Sequence, residues 1–398
     1  MRDRFEPPAP HFGDIGVYLR RGRTKHGLVL AAVIAAVAGM AGTLAGKGSS
    51  ARAAGFSYCA DQTATFKDHH PFTGISDPFV QAGTQHYQEC SFGRMAAAHV
   101  GFFRSGLSWA AIEVVPNQYD FSVYDQLMME LARHHLRFLP MLTQPPARLS
   151  TQPRDGPAGA YPPRVPRQFA AFAALCVRRY GPSGTFWRAH PELPYYPVRA
   201  WQVWNEPNLA QYWAPKPNAR AYVALLRATS SAIRLVDRRA LVVMAGMPFL
   251  SPGAATRYYT QLYGDGVRGS FDALAVHPYS ASVQGAEARV QAARAVMNRF
   301  GDHRKGIWIT EWGWAGGPPN PYIVNQAGQR ANIGAFLAFM QRHRAQLGVR
   351  ELIYFDWRDK VYGPGPSWWG YHLGLFTQGL RPKLALRAFT SAAQRLDR

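Results

Sequence analysis

The most constraining feature of this sequence is an alternation that begins near Phe72 and runs to the C-terminus. Short β-branched or apolar runs alternate with longer amphipathic stretches, the pattern of repeated βα units around a parallel sheet. Eight strands are predicted: Phe72–Ser76, Val100–Arg104, Arg137–Leu142, Val198–Trp204, Leu241–Ala245, Ala273–His277, Gly306–Glu311 and Leu352–Trp357. Helical patterns fall between them at His86–His99, Val123–His134, Arg167–Tyr180, Arg220–Val236, Thr256–Tyr263, Ala286–Phe300 and Asn325–Arg344, with Leu384–Leu396 closing the chain. Eight such units predict an α/β fold, a single (β/α)8 TIM barrel at residues 59–398. A hydrophobic content of 47% in 398 residues is ample for its core.

Two insertions interrupt the regular spacing, both rich in Pro and Gly: Gln144–Pro166 after the third strand and Gly181–Pro197 after the following helix. In such a barrel the chemistry sits at the carboxyl ends of the strands. The first insertion is therefore expected to wall the site, and the second to lie on the far face. A closed sheet leaves no edge to cover, so a monomer is expected.

The N-terminus reads as an address. Residues 1–26 are basic, with Arg20, Arg21, Arg23 and Lys25 just ahead of an uncharged run of about 20 residues, Gly27–Gly46. Positive flanks stay in the cytoplasm, so the chain beyond Lys47 is expected outside the membrane. The run is either a signal anchor or a signal peptide cleaved near Ala51-Arg52-Ala53, and 47–58 is a linker. Export would permit a disulfide between Cys59 and Cys90, whereas Cys176 falls in a helical stretch and reads as a buried free thiol.

The net charge is +21, carried mostly by Arg. Arg220, Arg227, Arg234, Arg238 and Arg239 are scattered through helical sequence, and no nucleic-acid motif accompanies them. Nucleic acid is therefore not expected as a partner. A basic surface resting against an anionic envelope or polymer is.

Two glutamates stand apart. Glu206 ends the fourth strand in Trp201-Gln202-Val203-Trp204-Asn205-Glu206-Pro207-Asn208, and Glu311 ends the seventh in Ile307-Trp308-Ile309-Thr310-Glu311-Trp312-Gly313-Trp314. Three βα units separate them, so both reach one rim of the barrel from nearly opposite sides. Paired carboxyls among aromatic residues suit glycoside cleavage: one protonates the leaving oxygen and the other attacks the anomeric carbon. Aromatic surroundings raise the pKa of the acid. Asn205 offers an amide donor to a sugar 2-hydroxyl.

Trp204-Asn205-Glu206-Pro207-Asn208 and Thr310-Glu311-Trp312-Gly313 resemble the acid/base and nucleophile motifs of glycoside hydrolase clan A, most of all families 39 and 5. The resemblance implies a retaining glycosidase acting on a β-linked oligo- or polysaccharide, with Glu206 as acid/base, Glu311 as nucleophile and no cofactor. It further implies Arg104 beside the nucleophile, a His277/Tyr279 pair whose hydroxyl bonds it, and Trp357 as the floor beneath the cleaved sugar. The chain departs from family 5 at the end of strand three. Met141-Leu142-Thr143-Gln144-Pro145-Pro146 lacks the histidine common there, which moves the likeness towards family 39.

Trp109, Tyr212, Trp213, Trp368, Trp369 and Tyr371 are expected to shape the cleft. His69, His70, His134 and His135 lack ligand spacing with carboxylates, so no catalytic metal is expected. Two other readings compete: a non-catalytic glycan-binding protein on the same barrel, and an Arg-rich polymer-binding envelope scaffold. Only the enzyme needs both glutamates.

Overall fold

Eight parallel strands pair in the order in which they occur, and β8 closes on β1. They are β1 (Thr73–Ser76), β2 (Phe102–Ser108), β3 (Arg137–Thr143), β4 (Ala200–Val203), β5 (Leu241–Met244), β6 (Ala273–Val276), β7 (Gly306–Ile309) and β8 (Val349–Phe355). The computed structural model describes Tyr58, Cys59 and residues 71–397, apart from 155–160, 250–252, 318–322 and 361–368. The expected barrel is therefore present. The segments 1–26 and 27–46 and nearly all of the 47–58 linker lie outside the described residues, as do His69, His70 and Trp368. Among the described residues no helix is long and apolar enough to cross a membrane.

Two layers of core hold the barrel. Inside it, Phe102, Leu139, Val243, Trp308 and Ile353 pack with Ala200, Ala273 and Ala275. Phe102 meets Trp308 edge to face at 5.6 Å. Outside, apolar side chains of the strands meet the buried stripes of the surrounding helices. The helix Ala219–Val236 shows how this positions a strand end. Asn218 caps it by accepting from Ala221 N–H, and Tyr222, Val223, Leu225, Leu226 and Ile233 form its buried stripe. The Tyr222 hydroxyl then donates to Val203 O at 3.0 Å and accepts from Ala245 N–H at 2.7 Å, tying the helix to the ends of β4 and β5.

Several strand ends differ from expectation. β2 continues to Ser108, so Arg104 lies mid-strand, paired in register with Leu139. β4, β6 and β7 stop at Val203, Val276 and Ile309, leaving Trp204, His277 and Glu311 just beyond the ladder. The Gly181–Pro197 insertion comes after a helix, as expected, and holds a short helix, Thr185–Ala189.

Cys59 and Cys90 form a disulfide, and Cys176 is free and buried. The bridge holds Tyr58 against the helix Gln85–Ala97: its hydroxyl lies 2.8 Å from Ser91 Oγ, and its ring meets Phe376 edge to face. The bridged cysteines are 31 residues apart. A loop of that length is worth about 3.7 kcal/mol of stability through restriction of the unfolded chain. Reduction, or Cys59→Ala with Cys90→Ala, should lower the melting temperature by several degrees in calorimetry. An unchanged melting temperature would mean that the bridge carries no stability.

Candidate active site

The turn after β4 is unusual before any catalytic argument is made. Trp204 and Glu206 both lie in the left-handed region, with φ of 73° and 42°. Non-glycine residues seldom adopt it, and holding one there costs about 1–3 kcal/mol. Surrounding contacts hold the turn in place. Trp204 N–H donates to Leu142 O at 3.0 Å, its indole N–H donates to Tyr212 O at 2.8 Å, and Glu206 N–H donates to Gly246 O at 3.1 Å. The result is Asn205 and Glu206 buried at the barrel mouth, 7% and 4% exposed.

Arg104 is the centre of the site. It is 2% exposed, and all of its nitrogens are engaged. Nη1 donates to Glu311 Oε1 at 2.8 Å and Ser76 Oγ at 3.1 Å, and Nε donates to Gln202 Oε1 at 2.6 Å. Nη2 donates to Asn205 Oδ1 at 2.9 Å and to Met141 Sδ at 3.0 Å. A guanidinium can only donate. The oxygen of Asn205 must therefore face it, and the Asn205 amide N–H2 is left for something else. Tyr279 completes the setting of Glu311 by donating its hydroxyl to Oε2 at 3.1 Å. Both partners expected for Glu311 are thus in place.

His277 serves the other carboxylate. Its Nδ1 shares a 2.6 Å hydrogen bond with Glu206 Oε1, and its Nε2 lies 2.9 Å from Thr310 Oγ1. That Thr310 oxygen also accepts from Gln202 Nε2 at 3.4 Å, so its own proton is free for Nε2. Nδ1 is then the nitrogen that donates to Glu206. His277 was expected among substrate-binding residues; it is fully buried and positions the Glu206 carboxyl instead.

The ring fits because residue 246 is glycine. A Cβ at Gly246 would lie 2.0 Å from His277 Nε2 and 2.7 Å from Thr310 Oγ1.

The two carboxyls are driven in opposite directions. Burial raises the pKa of Glu206, and the nearby Glu311 adds to the rise, against the lowering effect of His277 and Arg104. Burial also opposes ionisation of Glu311. There the proximity of His277 and Arg104, with hydrogen bonds from Arg104 and Tyr279, outweighs it and holds the carboxyl below the usual glutamate range. Burial beside Glu311 and Glu206 pushes Tyr279 far up, so it stays a donor. One oxygen of each carboxylate and one ring nitrogen of His277 all lie within 4.8 Å of one another. These are ligand-type atoms, but they are hydrogen-bonded together, and Glu311 already has the Arg104 cation at 2.8 Å. Chemically, such a set can support proton transfer and nucleophilic attack. Cys59, His86 and Cys90 also cluster, with both sulfurs joined in the disulfide.

Trp357 requires a correction. It is fully buried, its indole N–H donates to the Tyr58 hydroxyl at 2.8 Å, and its ring packs on Phe376 at 4.8 Å. No ring face remains open for a sugar. The aromatic residue beside the site is Phe355, the last of β8, in one cluster with Ala315, Ile323 and Leu373 against which Tyr279 packs. Trp109 and Trp213 are likewise core residues. Trp109 stacks on Phe172 and donates its indole N–H to Glu113, while Trp213 packs on Trp204 and Tyr222. Tyr212 stays with the site: its phenol pKa is raised by burial and then by Glu206 and Glu311. Tyr371 is half-buried. Gln202, Thr310, Ser76, Gly246 and Phe355 were not anticipated. The one available signal was Gln202, a polar residue inside an apolar strand.

Residues 196–366, which span Glu206 and Glu311, match the family model of the glycosyl hydrolase catalytic core. The resemblance drawn from its two motifs holds. Among solved structures the chain is similar to a family 39 glycoside hydrolase from Bacteroides cellulosilyticus WH2, with TM-score 0.63 and 16% identity over 82% of this chain and 64% of that one. It is similar to a family 39 enzyme from Xanthomonas axonopodis pv. citri, with TM-score 0.61 and 17% identity over 81% and 65%. A family 39 β-xylosidase from Caulobacter crescentus gives TM-score 0.61 and 17% identity over 83% and 72%. At these identities the likeness is one of fold, and the chain spans just under two thirds of the length of the first two. No curated protein sequence matches the chain.

The packing at Gly246 is directly testable. Gly246→Ala should push His277 off Glu206 and lower kcat/KM on an aryl β-glycoside roughly 10²-fold, the scale of an ångström-sized misplacement. Circular dichroism should show a folded barrel. Wild-type turnover by the variant would disprove the role given to the His277–Glu206 contact.

Proposed function

We propose that the protein is a retaining glycosidase that cleaves β-linked oligo- or polysaccharide outside the cytoplasmic membrane by double displacement, as a monomer. One observation carries this reading: an oxygen of Glu206 and an oxygen of Glu311 lie within 4.8 Å of one another, and the surroundings raise the pKa of the first carboxyl and lower that of the second. Retaining enzymes place the two groups about 5–5.5 Å apart and inverting ones roughly 6.5–9.5 Å apart, because the latter need room for a water.

Glu206 Oε1 is engaged by His277, so Oε2 bears the proton that passes to the leaving glycosidic oxygen. Glu311, fixed through both oxygens by Arg104 and Tyr279, attacks the anomeric carbon and forms a glycosyl ester. Glu206, now ionised, takes a proton from the water that hydrolyses the ester and is restored. The free Asn205 amide donates to the sugar 2-hydroxyl, a bond that strengthens as the transition state forms. Location outside the membrane is supported by the basic-then-apolar N-terminal sequence and by the Cys59–Cys90 bridge, since disulfides persist in oxidising compartments.

Glu311→Ala should abolish turnover. Glu206→Ala should slow it strongly, least for substrates with good leaving groups, and azide should restore part of the rate as a β-glycosyl azide. An α-glycosyl azide product would overturn the retaining assignment.

The pH profile is set by the two shifts. Activity needs Glu311 ionised, and its lowered pKa sets an acid limb below the ordinary glutamate range. It also needs Glu206 protonated, and its raised pKa sets an alkaline limb above that range. Arg104→Leu removes the cation that keeps Glu311 ionised, so the acid limb of kcat/KM should move to higher pH and the bell should narrow. A bell that shifts on its alkaline side alone would assign the two roles the other way round.

A further inference from the structure

Tyr58 and Cys59 precede the first strand, yet their contacts lead to the carboxyl ends of β8 and β1. Trp357 has one indole hydrogen, and it goes to the Tyr58 hydroxyl at 2.8 Å. The same hydroxyl lies 2.8 Å from Ser91 Oγ, and both rings meet Phe376, Trp357 at 4.8 Å and Tyr58 at 5.6 Å. The Arg94 guanidinium lies 4.9 Å from the Tyr58 ring centre and donates to Tyr58 O. Trp357 is fully buried and follows Phe355 by two residues. Its backbone N–H donates to Asp77 Oδ2 at 3.3 Å, and Asp77 comes directly after Ser76, which accepts from Arg104. Tyr58 therefore bears on two neighbours of the site: Phe355 through Trp357, and Ser76 through Asp77.

What holds Tyr58 there is a bond that chemistry can open. Cys59 is exposed and Cys90 half-buried, so a small thiol reaches the bridge. His86 stands one helical turn before Cys90, with Nε2 3.5 Å from Cys59 Sγ and 3.7 Å from Cys90 Sγ. An imidazole at that distance stabilises a departing thiolate and so eases exchange. Once the bridge is open, the contacts with Ser91, Trp357, Arg94 and Phe376 must hold Tyr58 against the entropy of a freed chain.

We propose that the Cys59–Cys90 bridge is a thiol-operated clamp on the catalytic mouth: closed, it holds Tyr58 on Trp357, and its reduction releases Tyr58 and slows turnover. The effect on turnover rests on the glycosidase reading; the release does not. A dithiol supplies the electrons. One of its thiolates attacks the exposed Cys59 Sγ, and Cys90 leaves as a thiolate that takes a proton from His86 or from water. The second thiol of the reductant then displaces Cys59, leaving two cysteine thiols and the reductant oxidised to its own disulfide. Tyr58 is a positioning residue here, because it acts through Trp357 and touches no reacting atom.

The test compares the full chain oxidised and after reduction with dithiothreitol, well below the melting temperature of the reduced form. Backbone hydrogen exchange of residues 356–360 should be at least about tenfold faster in the reduced chain, with that of β4–β6 unchanged. On an aryl β-glycoside kcat/KM should fall about tenfold and recover on reoxidation, a smaller loss than an ångström-sized misplacement brings. Tyr58→Ala, with the bridge intact, should show the same exchange and the same rate, and reduction should then add nothing. That outcome separates the loss of Tyr58 from the loss of the cross-link. His86→Ala should slow reduction by dithiothreitol about threefold. Unchanged exchange on reduction would overturn the proposal, as would wild-type exchange and turnover in Tyr58→Ala. Faster exchange with unchanged kcat/KM would overturn the coupling to catalysis. An oxidised chain inactive on every β-glycoside tried would count against the glycosidase reading instead, and exchange alone would then decide the release.

Discussion

A buried guanidinium organises this site. Arg104 rises from the middle of β2 and reaches β1 through Ser76, β4 through Gln202, the turn after β4 through Asn205, and the end of β7 through Glu311. Taking such a group out of water is costly unless every donor finds an acceptor, and here each nitrogen does. The planar fork with donors in fixed directions explains why arginine stands here; a lysine could not hold four partners on three sides at once. The geometries of Glu311 and of the Asn205 amide are therefore not independent. A change at Ser76 or Gln202 is felt at Glu311 through the same plane of atoms.

The contrast between the two glutamates comes from their partners rather than their burial. Both are enclosed, and enclosure alone favours the neutral form of each. Glu311 receives a permanent cation and a phenol, and ionises. Glu206 has no such cation bonded to it; it receives an imidazole held on its other side by Thr310, and the nearby Glu311 adds to the rise of its pKa. The left-handed turn at Trp204 and Glu206 is the strain that brings this second carboxyl in from its own strand.

The barrel was legible because buried parallel strands leave continuous apolar runs, and both glutamates because charge among tryptophans is conspicuous. The boundary of β2 was lost where Ser105 and Gly106 broke its apolar run, so Arg104 looked terminal. The misassignment of Trp357 came from a shift of two residues at the end of β8, where chain direction after Phe355 is set by contacts with Tyr58 and Phe376. The service of His277 to Glu206 joins residues 71 positions apart, and the gap that admits it is a glycine just past the end of a third strand. Local patterning carries no trace of such a contact. Gln202 was the one visible clue, because an amide buried in a strand must answer to something.

The filled interior of the barrel has a bearing on traffic. Below the site Phe102 and Trp308 meet edge to face, with Leu139, Val243 and Ile353 around them and the Arg137 guanidinium 3.8 Å from the Phe102 ring centre on the far side. A chain of sugars cannot thread along this axis as a rope through a pulley. Any glycan that reaches Glu206 lies across the mouth, with both of its ends on the same side of the molecule. Whatever is bound at Glu206 must then leave by the rim at which it entered.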